Sequence, residues 1–296
     1  MIQRQKVLLQ LLQRAGGKAS HLQLVKWLFL LRQESCNPSS AAHYQFVPYK
    51  FGPFSFTLYQ ELEALIRDAE LTAPTENELQ AAKHRFTAPP IGEPALELEI
   101  DRCWQRYGHL STTALLDTVY ARYPWFTMNS EQKERRAVKR PVVKPAVFTA
   151  GYEGLQVDGF LNLLLQSGIE RLIDVRNNPV SRRYGFHKST LAKLCERLAI
   201  EYRHEPEVGI PSAWRTQLDT QADYDRLFDR YERDILPAQQ VVIERIAALV
   251  TESPSALVCQ ECEPRCCPCL TPDPHDRTPV REVYRRGVAR PPGSFG

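Results

Sequence analysis

Apolar residues return every three or four positions over residues 4–14, where Val7, Leu8, Leu11 and Leu12 form one stripe that Gly16-Gly17 ends. Ser20 stands where a helix cap belongs, ahead of Leu22, Val25, Leu28, Phe29 and Leu31. A polar turn through Asn37-Pro38-Ser39-Ser40 follows, and Tyr44 to Tyr49 alternates as a short strand. Phe51-Gly52-Pro53-Phe54 breaks that strand, and Leu58, Leu62, Leu65 and Ile66 predict a helix over 57–71. Further helices are expected near 75–84, 97–107 and 111–122. Residues 1–130 read as a compact, mainly helical domain with a small strand element, an arrangement that a winged-helix fold would fit.

Residues 131–145 are a basic linker. Lys133, Arg135, Arg136, Lys139, Arg140 and Lys144 outnumber Glu131 and Glu134, with Pro141 and Pro145 near its end. Such a segment is either a solvated connector or a contact for phosphates. The rhythm then changes. Strands are predicted at 146–150, 171–175, 200–204 and 255–259. Helices are predicted near 156–167 and 189–198, with a longer helical region between Tyr224 and Val250. Strands alternating with helices predict a three-layer, Rossmann-like α/β domain over 146–270 with a mostly parallel sheet, whose strand carboxyl ends should carry the site. Residues 271–296 show little apolar periodicity and read as an irregular tail.

Composition changes this picture little. Hydrophobic residues make up 43% and charged residues 25%, as in a folded globular protein. The formal charge of +3 neither demands nor excludes a polyanionic partner, so the placement of charge matters more. No apolar run approaches the length of a membrane span, and the N-terminal stretch reads as an amphipathic helix rather than a signal peptide, so a cytoplasmic protein without a membrane is expected. Five of the eight cysteines fall between Cys259 and Cys269, unlike the even spread of a disulfide-stapled secreted domain.

Three regions could carry chemistry. Gly151-Tyr152-Glu153-Gly154 can form a tight strand-to-helix turn whose amides suit an anion, or an ordinary turn. Asp174 and Arg176 end an apolar strand and precede Ser181, Arg182 and Arg183, where guanidinium groups could grip a phosphate. Asp174 could orient Arg176 in an internal salt bridge or act in proton transfer. His187 and His204 lie near predicted strand ends and could add proton carriers, or be structural. The third region runs from Cys259 to Cys269. Cys259 and Cys262 have a chelating separation, and Cys262, Cys266, Cys267, Cys269 and His275 offer further zinc ligands, although the spacing matches no standard finger. Reactive thiols and structural cysteines are the alternatives. Glu261 follows the last strand and could meet Asp174 as a paired carboxylate.

Residues 146–270 resemble the family called domain of unknown function 488. The residues that carry the likeness are Thr149-Ala150-Gly151-Tyr152; Asp174-Val175-Arg176 with Pro179, Ser181, Arg182 and Phe186; Ile200, Tyr202 and His204; Val208-Gly209; and Cys259-x-Glu261 with Pro264. Where that family often continues with Cys-His-Arg, this chain has Cys267-Pro268-Cys269, a departure that either removes a proton carrier or phosphate ligand or replaces it with a thiol site. The first 130 residues resemble Panacea or SocA-like helical domains through Tyr49-Lys50-Phe51-Gly52-Pro53, Trp104-x-x-Tyr107-Gly108 and Pro124-Trp125, which implies a protein partner.

Together these readings point to an enzyme, or an enzyme-derived domain, acting on a nucleotide or nucleic acid. Gly151, Tyr152, Glu153, Ser181, Arg182, Arg183, His204 and Cys259 would bind the ligand. Asp174, Arg176 and Glu261 would do the chemistry, with a divalent metal or zinc as the cofactor the sequence allows. The domain pairing suggests phage defence, DNA modification or toxin regulation. A non-catalytic regulatory or protein-interaction module and a zinc-stabilised nucleic-acid-binding protein are the competing classes.

Overall fold

The computed structural model describes residues 1–75, 77–81, 87–215, 218–259 and 281–282. The chain divides into two compact units, Met1–Lys139 and Arg140–Gly296. No described helix is long and apolar enough to cross a membrane.

The first unit is mainly helical. Helices α1 (Gln3–Arg14), α2 (His21–Glu34), α3 (Phe56–Arg67), α4 (Pro94–Tyr107) and α5 (Thr112–Arg122) enclose one core. The Ser20 side chain accepts a hydrogen bond from the Gln23 amide, so the expected cap starts α2. Every residue from Leu24 to Leu31 is buried, which makes α2 the central helix, apolar on more than one face. Phe29 meets Phe46, Tyr123 and Phe126 edge to face, at centroid separations of 5.2, 5.1 and 4.7 Å.

Strands β1 (Lys18–Ser20), β4 (Leu71–Thr75) and β5 (Glu78–Ala81) form an antiparallel sheet in the order β1-β5-β4. The helix expected over 75–84 is therefore absent from its described residues, which form a hairpin. Leu79 and Ala81 are buried in alternation with half-exposed neighbours, and β1, distant in sequence, supplies the pairing partner for β5. Helix-forming residues yield here to a tertiary ladder. Strands β2 (Val47–Tyr49) and β3 (Gly52–Phe54) make a separate hairpin. Gly52 takes φ +87°, and a Cβ there would lie 2.7 Å from the Tyr120 ring. Lys26 of α2 reaches this hairpin from inside and donates to the carbonyls of Phe51 (2.7 Å) and Pro53 (2.9 Å).

The second unit is a mixed α/β fold. Its elements run β6 (Val147–Gly151), α6 (Val157–Gln166), β7 (Arg171–Asp174), α7 (Lys188–Arg197), β8 (Glu201–His204), α8 (Gln221–Asp234), α9 (Gln240–Glu252), β9 (Ser255–Cys259) and β10 (Arg281–Glu282). The sheet order is β10-β6-β9-β7-β8, with every pairing parallel. The long helical region expected up to Val250 is two helices, broken by a 3-10 turn at Leu236–Gln239 that begins before Pro237. Alternation along β7 sends side chains to both faces. Arg171 reaches the Leu249 carbonyl and Glu252 of α9, whereas Asp174 lies close enough to Cys195 of α7 to act on its thiol. Helices thus cover both sides of the sheet. Within the stretch read as an irregular tail, Arg281–Glu282 pairs with β6.

Several cations of the basic linker are held by the protein's own acceptors. Arg135 pairs with Asp117, and Arg136 donates to the Ser130 carbonyl at 2.6 Å. Arg140, in the second unit, donates to the carbonyls of Ile169, Leu198 and Ala199.

Candidate anion site at the strand ends

Parallel pairing brings distant residues to one edge of the sheet. Gly151 lies opposite Cys259, and Asp174 lies between Val258 and His204. Asp174 is fully buried, and both its oxygens are engaged. Oδ1 accepts the Arg176 amide (3.1 Å) and Nε (2.8 Å); Oδ2 accepts Arg176 Nη2 (2.5 Å) and the Tyr202 hydroxyl (2.6 Å). The far end of the guanidinium is also held, because Nη1 donates to the Tyr152 hydroxyl (3.1 Å) and the Phe186 carbonyl (3.0 Å). Of the two roles open to Asp174, orientation of Arg176 is the one its contacts display.

Aromatic rings brace this ion pair. Tyr152 and Phe186 stack with centroids 4.1 Å apart, Phe160 of α6 meets Phe186 edge to face at 5.6 Å, and the Arg176 guanidinium lies 5.3 Å from the Tyr152 ring centroid. Burial by itself would weaken the charge on Arg176, but the bonds and charge of Asp174, helped by Tyr152, outweigh it and raise the guanidinium's pKa. Burial and then the neighbouring Asp174 charge push the Tyr202 hydroxyl well above its ordinary range. The same two causes, burial first, push the Cys195 thiol up to about 12. No proton at this centre is poised to move near neutral pH through Tyr202 or Cys195.

The other expected residues surround this anchor. Ser181 Oγ accepts the Arg183 amide at 3.1 Å. Arg183 Nη1 donates to the Tyr152 carbonyl at 3.4 Å, and its guanidinium lies over the Phe186 ring at 5.9 Å. Arg182, Arg183 and His187 are exposed along the β7–α7 loop, and Lys188 is exposed at the start of α7. His204 Nε2 donates to the Arg176 carbonyl at 3.0 Å, and His187 Nδ1 bonds Ser189 Oγ at 3.2 Å. Glu153 is exposed in the turn after β6, which closes with a Leu155-to-Tyr152 backbone bond. Of Cys259 only the backbone is described, and Glu261, Cys262, Cys266, Cys267, Pro268, Cys269 and His275 lie outside the described residues. Among the described residues no group of three His, Cys, Asp or Glu side chains could hold a metal ion.

Two hollows flank the anchor. A cleft of about 500 Å³ between the start of α7 and β8 is lined by His187, Lys188, Ser189, Tyr202, Arg203 and His204 among others. A narrower cavity of about 170 Å³ lies beside Val175 and Arg176, against α8, α9 and the segment around Gly209. That segment presses on the end of β7: a Cβ on Gly209 would fall 2.3 Å from the Asn177 amide nitrogen and 2.4 Å from the Val175 carbonyl oxygen. Sequence reasoning named neither Tyr202 as the partner of Asp174 nor Lys188, Arg203 and Arg215 as lining residues. The alternation of Tyr202 with His204 along β8 was the available signal, since it places both on one face.

No curated protein and no solved structure matches the chain. Residues 156–269, which contain Asp174, Arg176 and the β7–α7 loop but begin just after Gly151-Tyr152-Glu153, match the family described as domain of unknown function DUF488.

Proposed function

We propose that the α/β unit holds a phosphate-bearing ligand, a nucleotide or a stretch of nucleic acid, on the rim formed by the β7–α7 loop. One observation carries this reading: Arg182-Arg183-Tyr184-Gly185-Phe186-His187-Lys188 presents exposed cations around an aromatic side chain, on a loop fixed from beneath by Phe186 and Arg176. Cations supply attraction to phosphates and an aromatic face can stack on a base. Arg176 serves as a positioning residue, since most of its donors are engaged by Asp174, Tyr152 and Phe186. Proton transfer, in this reading, falls to Glu261 or the histidines rather than to Asp174. A divalent metal or zinc held by Cys262, Cys266, Cys267 and Cys269 rests on sequence alone. The same reading has the protein act in the cytoplasm, in phage defence, DNA modification or toxin regulation.

The test is binding of labelled single- and double-stranded DNA and RNA, and of free nucleotides, with and without Mg²⁺ or Zn²⁺, followed by a search for turnover. Saturable, salt-sensitive binding lost on joint replacement of Arg182, Arg183 and Lys188 by Ala supports the reading. Binding that survives those changes overturns it.

A second reading concerns the helical unit. The order α1-β1-α2-β2-β3-α3-β4-β5, in which the β2–β3 hairpin is inserted before α3, together with the sheet order β1-β5-β4, supports a winged-helix-like arrangement, in which α3 would face a partner. The exposed residues of α3 are Glu63 and Arg67, which gives that helix no net charge for phosphates. Its start instead continues a partly exposed aromatic strip, His21 on Tyr59, Tyr59 on Phe54 and Phe54 beside Tyr49, with centroids 5.6, 4.5 and 5.1 Å apart. This favours a protein partner, as the likeness to Panacea or SocA-like domains implies. Arg67→Ala should then leave nucleic-acid affinity unchanged.

A further inference from the structure

The cleft between the start of α7 and β8 gathers cations around one hollow. Lys188 lines it from α7 and Arg203 from β8. Arg203 Nε donates to Glu201 Oε1 at 2.6 Å. Among the described residues its two terminal nitrogens and the Lys188 ammonium have no partner. Glu201 is shared with Arg171, which donates to its other oxygen at 2.7 Å, so it offsets the Arg203 charge only in part. Glu205 is the acid among the described lining residues, and it is already matched. Arg245 Nε donates to one of its oxygens at 3.1 Å and Nη2 to the other.

Neutral groups complete the lining. His204 Nε2 donates to the Arg176 carbonyl, which can only accept, so the neutral ring carries its hydrogen on Nε2 and leaves Nδ1 as an acceptor. An acceptor of that kind suits a sugar hydroxyl. His187 and Ser189, bonded to each other at 3.2 Å, add a second ring nitrogen and a hydroxyl.

This set of donors discriminates between phosphates. A phosphodiester brings about one negative charge, whereas a monoester brings roughly two and a third acceptor oxygen. Lys188 and the Arg203 fork, converging on one hollow, exceed what a diester can use and match a monoester. Size agrees with a nucleotide unit. The cleft of about 500 Å³ falls within the roughly 300–1,000 Å³ of small-molecule sites.

We propose that this cleft receives a terminal phosphate monoester, that of a free nucleotide or of the phosphorylated end of a strand. Lys188 and Arg203 hold the phosphate, while Arg182 and Arg183 follow the rest of a strand. The assignment rests on the phosphate reading of the rim and narrows it from any phosphate to a chain end.

The experiment is fluorescence anisotropy of the full chain with one internally labelled single-stranded DNA in three forms: 5′-phosphorylated, 3′-phosphorylated and hydroxyl at both ends. Calorimetric titration with adenosine 5′-monophosphate and with its cyclic 3′,5′-diester tells a free nucleotide from a strand end. The expected result is a preference of about tenfold for a monoester in at least one of the two comparisons. Arg203→Gln and Lys188→Gln should each erase it. Both side chains are exposed and Glu201 keeps Arg171, so both variants should fold, which thermal unfolding checks. Arg182→Ala with Arg183→Ala should weaken all three strands alike and leave the preference intact. Salt-sensitive strand binding with no preference in either comparison overturns the cleft and leaves the rim standing. A preference that survives both Gln variants also overturns the cleft. Absence of binding by every probe overturns cleft and rim together.

Discussion

The Tyr202 hydroxyl donates to Asp174 Oδ2 at 2.6 Å, diagonally across two parallel strands in which Tyr202 itself lies opposite Leu172. This bond and the Arg176 fork leave neither Asp174 oxygen without a partner, in a residue wholly removed from solvent. Breaking such a pair from one side strands the other charge. Arg176→Ala should destabilise the protein by about 3–5 kcal/mol, and Tyr202→Phe by about 1.5–3 kcal/mol. The double variant should cost clearly less than the two added together, because both bonds serve one carboxylate. Urea unfolding of the four proteins measures this, and strict additivity would contradict it.

Lys26 gives the stability of the helical unit a pH dependence. Burial lowers its pKa from 10.5 to about 7, and the two carbonyls it meets match the two N–H donors of a neutral amine. Between those values the unfolded chain binds a proton that the folded chain does not, so stability rises with pH. The slope contributed by Lys26 should approach about 1.4 kcal/mol per pH unit above pH 7 and vanish below it. Comparing native protein with Lys26→Met by urea unfolding from pH 6 to 9 isolates this slope.

His43 acts in a lower window. Burial is the main cause that lowers its pKa to about 4, with Glu99 opposing and Arg32 assisting. Stability tied to the neutral ring should fall as pH drops from about 6.5 towards 4, where only the unfolded chain takes up the proton. A His43→Gln variant should show a shallower acid limb in the same assay.

Gly209 is required by space rather than by φ. Its missing Cβ faces backbone atoms at 2.3 and 2.4 Å, which cannot swing aside as a side chain would. Gly209→Ala should cost at least about 1–3 kcal/mol and displace the segment that walls the narrow cavity. A variant with native melting temperature would mean that the segment moves freely.

If phosphates sit on the β7–α7 loop, salt sensitivity should report the contacts one by one. Replacing Arg182, Arg183 and Lys188 together should reduce the slope of log affinity against log salt by up to about 2 for a single strand. Fluorescence anisotropy over a range of NaCl concentrations gives the slope. An unchanged slope alongside weaker binding would place the contacts elsewhere.

Local features were legible in the sequence because periodicity and capping record burial directly. The Ser20 cap, the stripe of α1 and the strands around Ile173 and Leu257 follow from spacing alone. The 75–84 segment was not legible, because Leu79 and Ala81 become strand residues only when β1 offers a ladder. At the site, sequence brought Asp174 and Arg176 together since they are two residues apart. It could not show that Tyr152, Phe186 and Tyr202, drawn from three other segments, close around them.

What the sequence determined by itself is therefore a helical unit followed by alternating strands and helices, with polar side chains at the strand ends. Tertiary structure alone decided that β9 inserts between β6 and β7, that Asp174 engages Arg176 rather than solvent, and that Arg215 lies on an apolar cavity wall. The reason is physical. Hydrophobic period specifies which face of an element is buried, whereas strand order and the pairing of polar groups depend on contacts between segments far apart along the chain.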